Sequence, residues 1–295
     1  MSGAYHRGVL AVQERVGVRE AAEHVGRSIG TGLGDAAAAF LGLQPHLVVG
    51  AADGAGRMWA SLLTAPPGFV RATGPDRIAV AGGPPAGDPL AEALATAGTR
   101  VGAIALDPRT RRRMRLNGTV EVTRAGFAVE AEQVFANCPK YLQRRQPLEL
   151  ARQGQGVVRR GRALTGAQQR AVRDADTFFV ATTAEADGAD ASHRGGLPGF
   201  VEVLSPVELA WPDYAGNAMF LTLGNLTADP RAGLLFPDWE SGAVLQLSGR
   251  ARTEFGAGGS RRTRFRVESV VESVHPGRLL WSTPEYSPHL GRTTR

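Results

Sequence analysis

The chain is poor in the residues that build several common kinds of site. A single cysteine, Cys138, among 295 residues excludes an internal disulfide and leaves no cluster for structural zinc or an iron–sulfur centre. The six histidines, His6, His24, His46, His193, His275 and His289, form neither an HExxH motif nor a close pair, so no metal site is expected. GxGxxG and GxxxxGK[ST] are both missing. Gly30-Thr31-Gly32-Leu33-Gly34 has the wrong spacing and no strand before it, so a nicotinamide would act as a visiting NAD(P)H donor. No apolar run approaches the ~18 residues of a membrane span, and Arg7, Glu14 and Arg15 stand where a signal peptide carries its apolar core. A cytoplasmic protein without a membrane partner is the expectation.

Lysine is almost absent too. Lys140 stands alone against 33 arginines in a chain of net charge +6 and pI near 10.3. That skew resembles a coding bias. Without aromatic residues interleaved for base stacking, it gives no reason to expect a nucleic-acid partner. The densest run, Arg109 to Arg115, reads as a hairpin connection entering a strand, with an anionic ligand site as the alternative.

What the chain has in quantity is glycine, 38 residues, and an internal repeat. Pro67-Gly68-Phe69-Val70 returns as Pro198-Gly199-Phe200-Val201, 131 residues later. At the same displacement the segment from Gly102 to Gly118 aligns without a gap on Gly233 to Gly249. Gly87-Asp88-Pro89 matches Gly216-Asn217 only after a shift of two residues. Each copy holds many short strand candidates bounded by turn residues, with one conspicuous helix. The expected fold is mainly β with peripheral helices: two tandem split β-barrel domains related by internal duplication. The expected boundaries are an N-terminal helical extension at 1–35, a first copy at 36–128, a helical connection and linker at 129–173, a second copy at 174–280 and a tail at 281–295. Within these, Asp88 is expected to cap a helix from Pro89 to Ala97, Val129 to Gln143 to be helical, and Thr165 to cap a helix through Arg173.

The copies differ in polarity at matching places. Ser61 and Ser192 correspond, whereas Leu62 and Leu63 of the first copy become His193 and Arg194 in the second. A strand-edge Ser-His-Arg cluster beside two glycines offers hydroxyl, imidazole and guanidinium donors to a phosphate or an electron-rich ring; a solvated turn is the alternative. Adjacent strand side chains face opposite ways, which argues against a Ser192–His193 relay. Asn217 is placed to cap the segment Ala218 to Leu223, and Asn225 to end it. Both suit a ligand phosphate or ring edge, or else a plain cap and turn. Cys138 beside Lys140 lacks an identifiable base, which favours an inert thiol. No catalytic residue is assignable.

At these residues the sequence resembles the pyridoxamine 5'-phosphate oxidase-like superfamily of FMN-binding split barrels, in particular its long, duplicated bacterial members. The resemblance rests on Leu10-Ala11-Val12-Gln13, Gly56-Arg57-Met58-Trp59-Ala60-Ser61, Asn137-Cys138-Pro139-Lys140-Tyr141, Ala175-Asp176-Thr177-Phe178-Phe179, Ala191-Ser192-His193-Arg194-Gly195-Gly196, Pro212-Asp213-Tyr214-Ala215-Gly216-Asn217 and Thr222-Leu223-Gly224-Asn225-Leu226. It implies noncovalent FMN at the junction of two barrels and an oxidoreductase acting on a small molecule. A homodimer is expected because cyclic dimers are the commonest closed assembly, with the two barrels pairing inside one chain as the alternative. Ser192, His193, Arg194, Asn217 and Asn225 are the implied flavin contacts. Where the vitamin-producing oxidase has a basic phosphate ligand, this chain has Asn217-Ala218-Met219-Phe220, so that oxidase's own activity is not expected. A flavin- or haem-binding module with little turnover is the competing class.

Overall fold

A computed structural model describes residues 5–137, 139–150, 156–184, 188–274 and 279–290. Three helices come first, α1 (Arg7–Val16), α2 (Arg19–Gly26) and α3 (Asp35–Gly42). The first sheet comprises β1 (His46–Ala52), β2 (Met58–Thr64), β3 (Val70–Gly74), β4 (Arg77–Ala81), β5 (Arg100–Asp107), β6 (Arg112–Thr123) and β7 (Gly126–Ala136). After β8 (Pro147–Leu150), β9 (Val157–Gly161) and α4 (Gly166–Asp174) comes the second. It holds β10 (Thr177–Ala184), β11 (Gly188–Gly195), β12 (Glu202–Ser205), β13 (Glu208–Pro212), β14 (Arg231–Pro237), β15 (Ala243–Phe255) and β16 (Arg261–Val274), with α5 (Leu221–Ala228) between β13 and β14. A short strand, β17 (Leu279–Trp281), pairs with β8.

The two sheets have one topology. The first runs β2-β1-β5-β6-β7-β4-β3 and the second β11-β10-β14-β15-β16-β13-β12, with β9 added on β16. Strand starts such as Arg77 and Glu208, or Arg100 and Arg231, stand 131 residues apart. The kink in the longest hairpin recurs too, at Asn117/Gly118 in one sheet and Ser248/Gly249 in the other. Neither path joins its ends, so β2 and β3, like β11 and β12, are free ends of an open barrel. Each sheet wraps its own apolar core, around Val49, Leu116 and Phe127 in the first and Phe178, Leu234 and Phe265 in the second.

A third core lies between the barrels, where Val48, Met58 and Ile104 meet Phe179, Ala191 and Leu235. The contacts are reciprocal. A Cβ on Gly102 would fall into the backbone of Asp190, and one on Gly233 into that of Trp59, the position 131 residues before Asp190. Gly50 faces Ala181, its own counterpart, with 2.6 Å from an added Cβ to the alanine Cβ. Residue i touching j while the counterpart of j touches the counterpart of i is the signature of a two-fold interface. Here that axis relates two halves of one chain.

Three sequence expectations need correction. Residues 129–136, expected to be helical, belong to β7, which lies between β6 and β4; Ala, Glu and Gln favour a helix locally, but two ladders of backbone bonds override them. The first barrel therefore extends to Ala136, and the stretch 129–173 is not a helical linker: only α4 in it is an α-helix among the described residues. The helix expected from Pro89 to Ala97 shrinks to a 3₁₀ turn at Ala93–Ala95. Asp88 nevertheless accepts from the backbone N–H of Leu90 at 2.9 Å, as a cap would. Thr165 caps α4 as expected, and Gln168 returns a bond to complete a capping box.

His46 sits in the inter-barrel core with 1% exposure, edge-on to Trp239 and Trp281. Neither ring nitrogen has a hydrogen-bond partner, and burial pushes its pKa down to about 4. Below its ordinary value of about 6.5 the unfolded chain binds a proton that the folded chain refuses until about pH 4. Stability therefore falls across that window, by about 3 kcal/mol for this one group. Urea unfolding at pH 7 and pH 4 should show the loss, and His46→Phe should reduce it. An equal loss in the variant would remove His46 as its source.

Candidate functional site

The cleft of interest is built by both barrels. From the second come Ser192, His193 and Arg194 on the free-end strand β11, and the loop from Pro212 to Phe220 leading into α5. From the first come Arg113 and Arg115 on β6, then Asn137, Lys140 and Tyr141 beyond β7. Together they line an open cleft whose cavity volume is about 120 Å³, smaller than the ~300–1,000 Å³ of a typical closed ligand pocket. Cys138 lies outside the described residues.

β11 pairs along its length with β10, which makes the Ser-His-Arg cluster a buried strand and not a solvated turn. Alternation puts Ser192 and Arg194 together, and Arg194 Nη1 donates to Ser192 Oγ at 2.7 Å. Arg194 approaches Asp213 only at 3.8 Å, and Asp213 is already held by Arg261 at 3.0 Å. The Nε of Arg194 is buried without a partner, as is the Oδ1 of Asn137. A guanidinium sharing its carboxylate, with one donor unmet, is suited to an anion.

His193 points the other way, edge-on to Phe179 with ring centroids 5.6 Å apart. Its Nδ1 lies 3.0 Å from Nη1 of Arg113. A guanidinium only donates, so Nδ1 accepts and the ring proton resides on Nε2. Burial, with Arg113 and Arg194 adding to it, holds the pKa of His193 well below its ordinary value. The ring is therefore neutral at neutral pH and offers one N–H donor. Its basic nitrogen is occupied, which leaves it unsuited to act as a general base.

Beneath them Arg115 and Asp190 form an ion pair across the barrel interface, with side chains 6% and 4% exposed. Asn117 Nδ2 also donates to Asp190, at 3.4 Å. Tyr141 and Tyr214, one from each barrel side, stack obliquely with centroids 5.0 Å apart, and the Tyr141 hydroxyl donates to the carbonyl of Ala215 at 3.1 Å. Gly195 permits this closeness, since a Cβ there would collide with the Tyr141 carbonyl.

The backbone around the cleft is strained. Among the described residues the non-glycine positions with positive φ are Arg111, Tyr141, Ala218 and Phe220, and the last three line the cleft. Such conformations cost about 1–3 kcal/mol each and persist where the surroundings fix them. Gln13 of α1, fully buried, is one such support: its amide donates to the carbonyl of Met219 at 3.0 Å.

Of the five expected contacts, four come together: Ser192, His193, Arg194 and Asn217 line the cleft. Asn217 accepts from the N–H of Met219 at 3.3 Å, turning the loop four residues before α5 starts; it does not cap that helix as expected, because Ala218 and Phe220 take left-handed backbone and the helix begins only at Leu221. Asn225 does not join them. It lies inside α5, donating to Thr182 Oγ1 at 3.0 Å and paired with His6 Nε2 at 2.8 Å, so it ties the N-terminal segment to the second barrel and does not end the helix. Arg113, Arg115, Lys140 and Tyr141 are cleft residues outside the five expected contacts, the two arginines belonging to the run whose alternative reading was an anionic ligand site. Their signal was present: Arg113 and Arg115 alternate on one strand face, and the other two stand in Asn137-Cys138-Pro139-Lys140-Tyr141.

Residues 164–274 match the family model described as Pyridoxamine 5'-phosphate oxidase. That match is confined to α4 and the second barrel. Among solved structures it is similar to HupZ of Group A Streptococcus, at 10% identity over 41% of this chain and 99% of that one, TM-score 0.31. It is also similar to a FAD-binding protein of Mesorhizobium loti, at 13% identity over 40% of this chain and 98% of that one, TM-score 0.28. A third is a Clostridium acetobutylicum protein related to general stress protein 26 of B. subtilis, at 12% identity over 38% and 89%, TM-score 0.27. Likenesses this slight say nothing of function. No curated protein sequence matches significantly. Among the described residues no helix is long and apolar enough to cross a membrane, and no group of three His, Cys, Asp or Glu side chains is placed to hold a metal ion.

Proposed function

We propose that the inter-barrel cleft holds FMN and that the protein is an FMN-dependent oxidoreductase acting on a small molecule. The observation that carries this reading is Arg194: a basic side chain stands in the cleft, with an unmet buried donor, where the first barrel has Leu63. The family match over the second barrel supports a flavin there. In this reading Ser192 and Arg194 bind the phosphate and Arg113 and Lys140 add positive charge. His193 donates through Nε2–H, and Asn217 shapes the loop. Tyr141 and Tyr214 wall one side against water. Flavin, when bound, supplies the hydride or electron transfer, with NAD(P)H as a diffusible donor.

The two barrels are proposed to descend from one by duplication, which their common strand order supports. The proposed compartment is the cytoplasm. A homodimer would pair units already complete, because the barrel-to-barrel contact that builds the cleft is made within the chain.

Purified protein should be yellow after incubation with FMN and gel filtration, bleach with a reduced nicotinamide or another donor, and recover its colour in air. Colour that no donor bleaches would make it a binding module. A protein that takes up neither FMN nor FAD would overturn the reading. His193 should contribute no titration near neutrality: the bleaching rate should show no step attributable to it between pH 6 and 8, the sign its lowered pKa requires.

A further inference from the structure

The internal two-fold predicts two clefts per chain, one on each side of the axis. The second would be lined by the counterparts of the first: Ser61, Leu62 and Leu63 on β2, facing Val244 and Gln246 on β15. The structure places these residues together but leaves no donor set among them. Gln246, the counterpart of Arg115, is fully buried and donates to Ala60 O at 3.0 Å, to Ser61 Oγ at 3.1 Å and to Asp88 Oδ2 at 3.1 Å. Ser61 Oγ donates to the other carboxylate oxygen of Asp88 at 2.5 Å. Ser61 is 0% and Asp88 7% exposed, and Leu62 and Leu63 are 5% and 3% exposed.

The chemistry has been exchanged position by position. In the first cleft Ser192 receives a cation, Arg194, and the facing strand brings Arg113 and Arg115. In the second Ser61 turns to a carboxylate, and the facing strand brings a valine and a neutral amide. A phosphate entering there would meet Asp88 and two leucines, and would have to break the buried hydrogen bonds among Gln246, Ser61 and Asp88, in which Gln246 Oε1 is left unmet and offers an anion only an acceptor. Each such bond lost without replacement leaves a desolvated group behind.

From this we infer that each chain binds one flavin and that its second cleft is a structural seal between the barrels. The inference rests on the flavin reading of the first cleft. It also accounts for the difference between related positions: Ser61 and Gln246 serve the interface, whereas their counterparts Ser192 and Arg115 line the open cleft.

The test is the binding endpoint. Titration of flavin-free protein with FMN, followed by quenching of flavin fluorescence, should end at one equivalent per chain at every protein concentration. A second equivalent would overturn the single-site inference while leaving the flavin reading intact. No uptake of FMN or FAD would overturn both. Arg194→Leu, which copies Leu63, should bring the endpoint from one to zero, whereas Ser61→Ala should leave it at one. An Arg194→Leu protein that still binds a full equivalent would place the flavin elsewhere and overturn the inference. A thermal melt of each variant shows whether it is folded, and the endpoint of the unaltered protein decides the question even where a variant fails to fold.

Discussion

Replacing Asp190 by alanine should lower the free energy of unfolding by about 3–5 kcal/mol. The carboxylate is 4% exposed and its partner Arg115 6% exposed, so removing one side of the pair leaves a guanidinium in the barrel interface without its counter-charge. Asn117 loses an acceptor in the same step. The pair still has unmet atoms, Asp190 Oδ2 and Arg115 Nε, which limits what it contributes in net terms, because two desolvated ions repay their burial only when every lone pair and proton is satisfied. The loss in the single variant should therefore greatly exceed the loss on replacing both residues by leucine. Urea unfolding of the three proteins tests this. A loss below about 1 kcal/mol in Asp190→Ala, the range of solvent-exposed ion pairs, would show that water reaches the pair and that the interface is looser than described.

The second large effect concerns the interface glycines. Gly102→Ala and Gly233→Ala should each destabilise by about 1–3 kcal/mol. In both cases the added methyl meets backbone of the opposite barrel, which cannot rotate aside as a side chain could. Their symmetry-related positions require costs of similar size. Gly42 of α3 is the control: nothing lies within 4 Å of an added Cβ there, and alanine in a helix gains about 0.5–1 kcal/mol over glycine. Thermal or urea melts of the three variants suffice. A neutral effect at both interface positions would mean that the barrels are not packed as closely as reciprocal contact demands.

Much of this architecture is legible in the sequence because it is repeated. The 131-residue displacement identifies Gly102 with Gly233 and Ser61 with Ser192, and the strands obey it. The polarity change from Leu62-Leu63 to His193-Arg194 marks the cleft for the same reason. What could not be read is what depends on partners far along the chain. β7 holds Phe127, Ala128 and Val129 buried in succession, a pattern that reads equally as a helix until two neighbouring strands are known. Asn225 looks like a helix end in Gly224-Asn225-Leu226, yet Thr182 and His6 satisfy its amide inside α5. Arg113 and Arg115 are two arginines in a basic run until β11 is placed opposite them.

The pairing of the barrels within one chain has a consequence for how such a protein can change. In a dimer of identical subunits every substitution is written twice, so a residue that improves packing at one cleft is imposed on the other, where it must also tolerate the ligand. Once both barrels share a chain, each cleft has its own codons. Gln246 can fasten one seam while Arg115, its counterpart, keeps its charge at the other, and neither choice constrains the next.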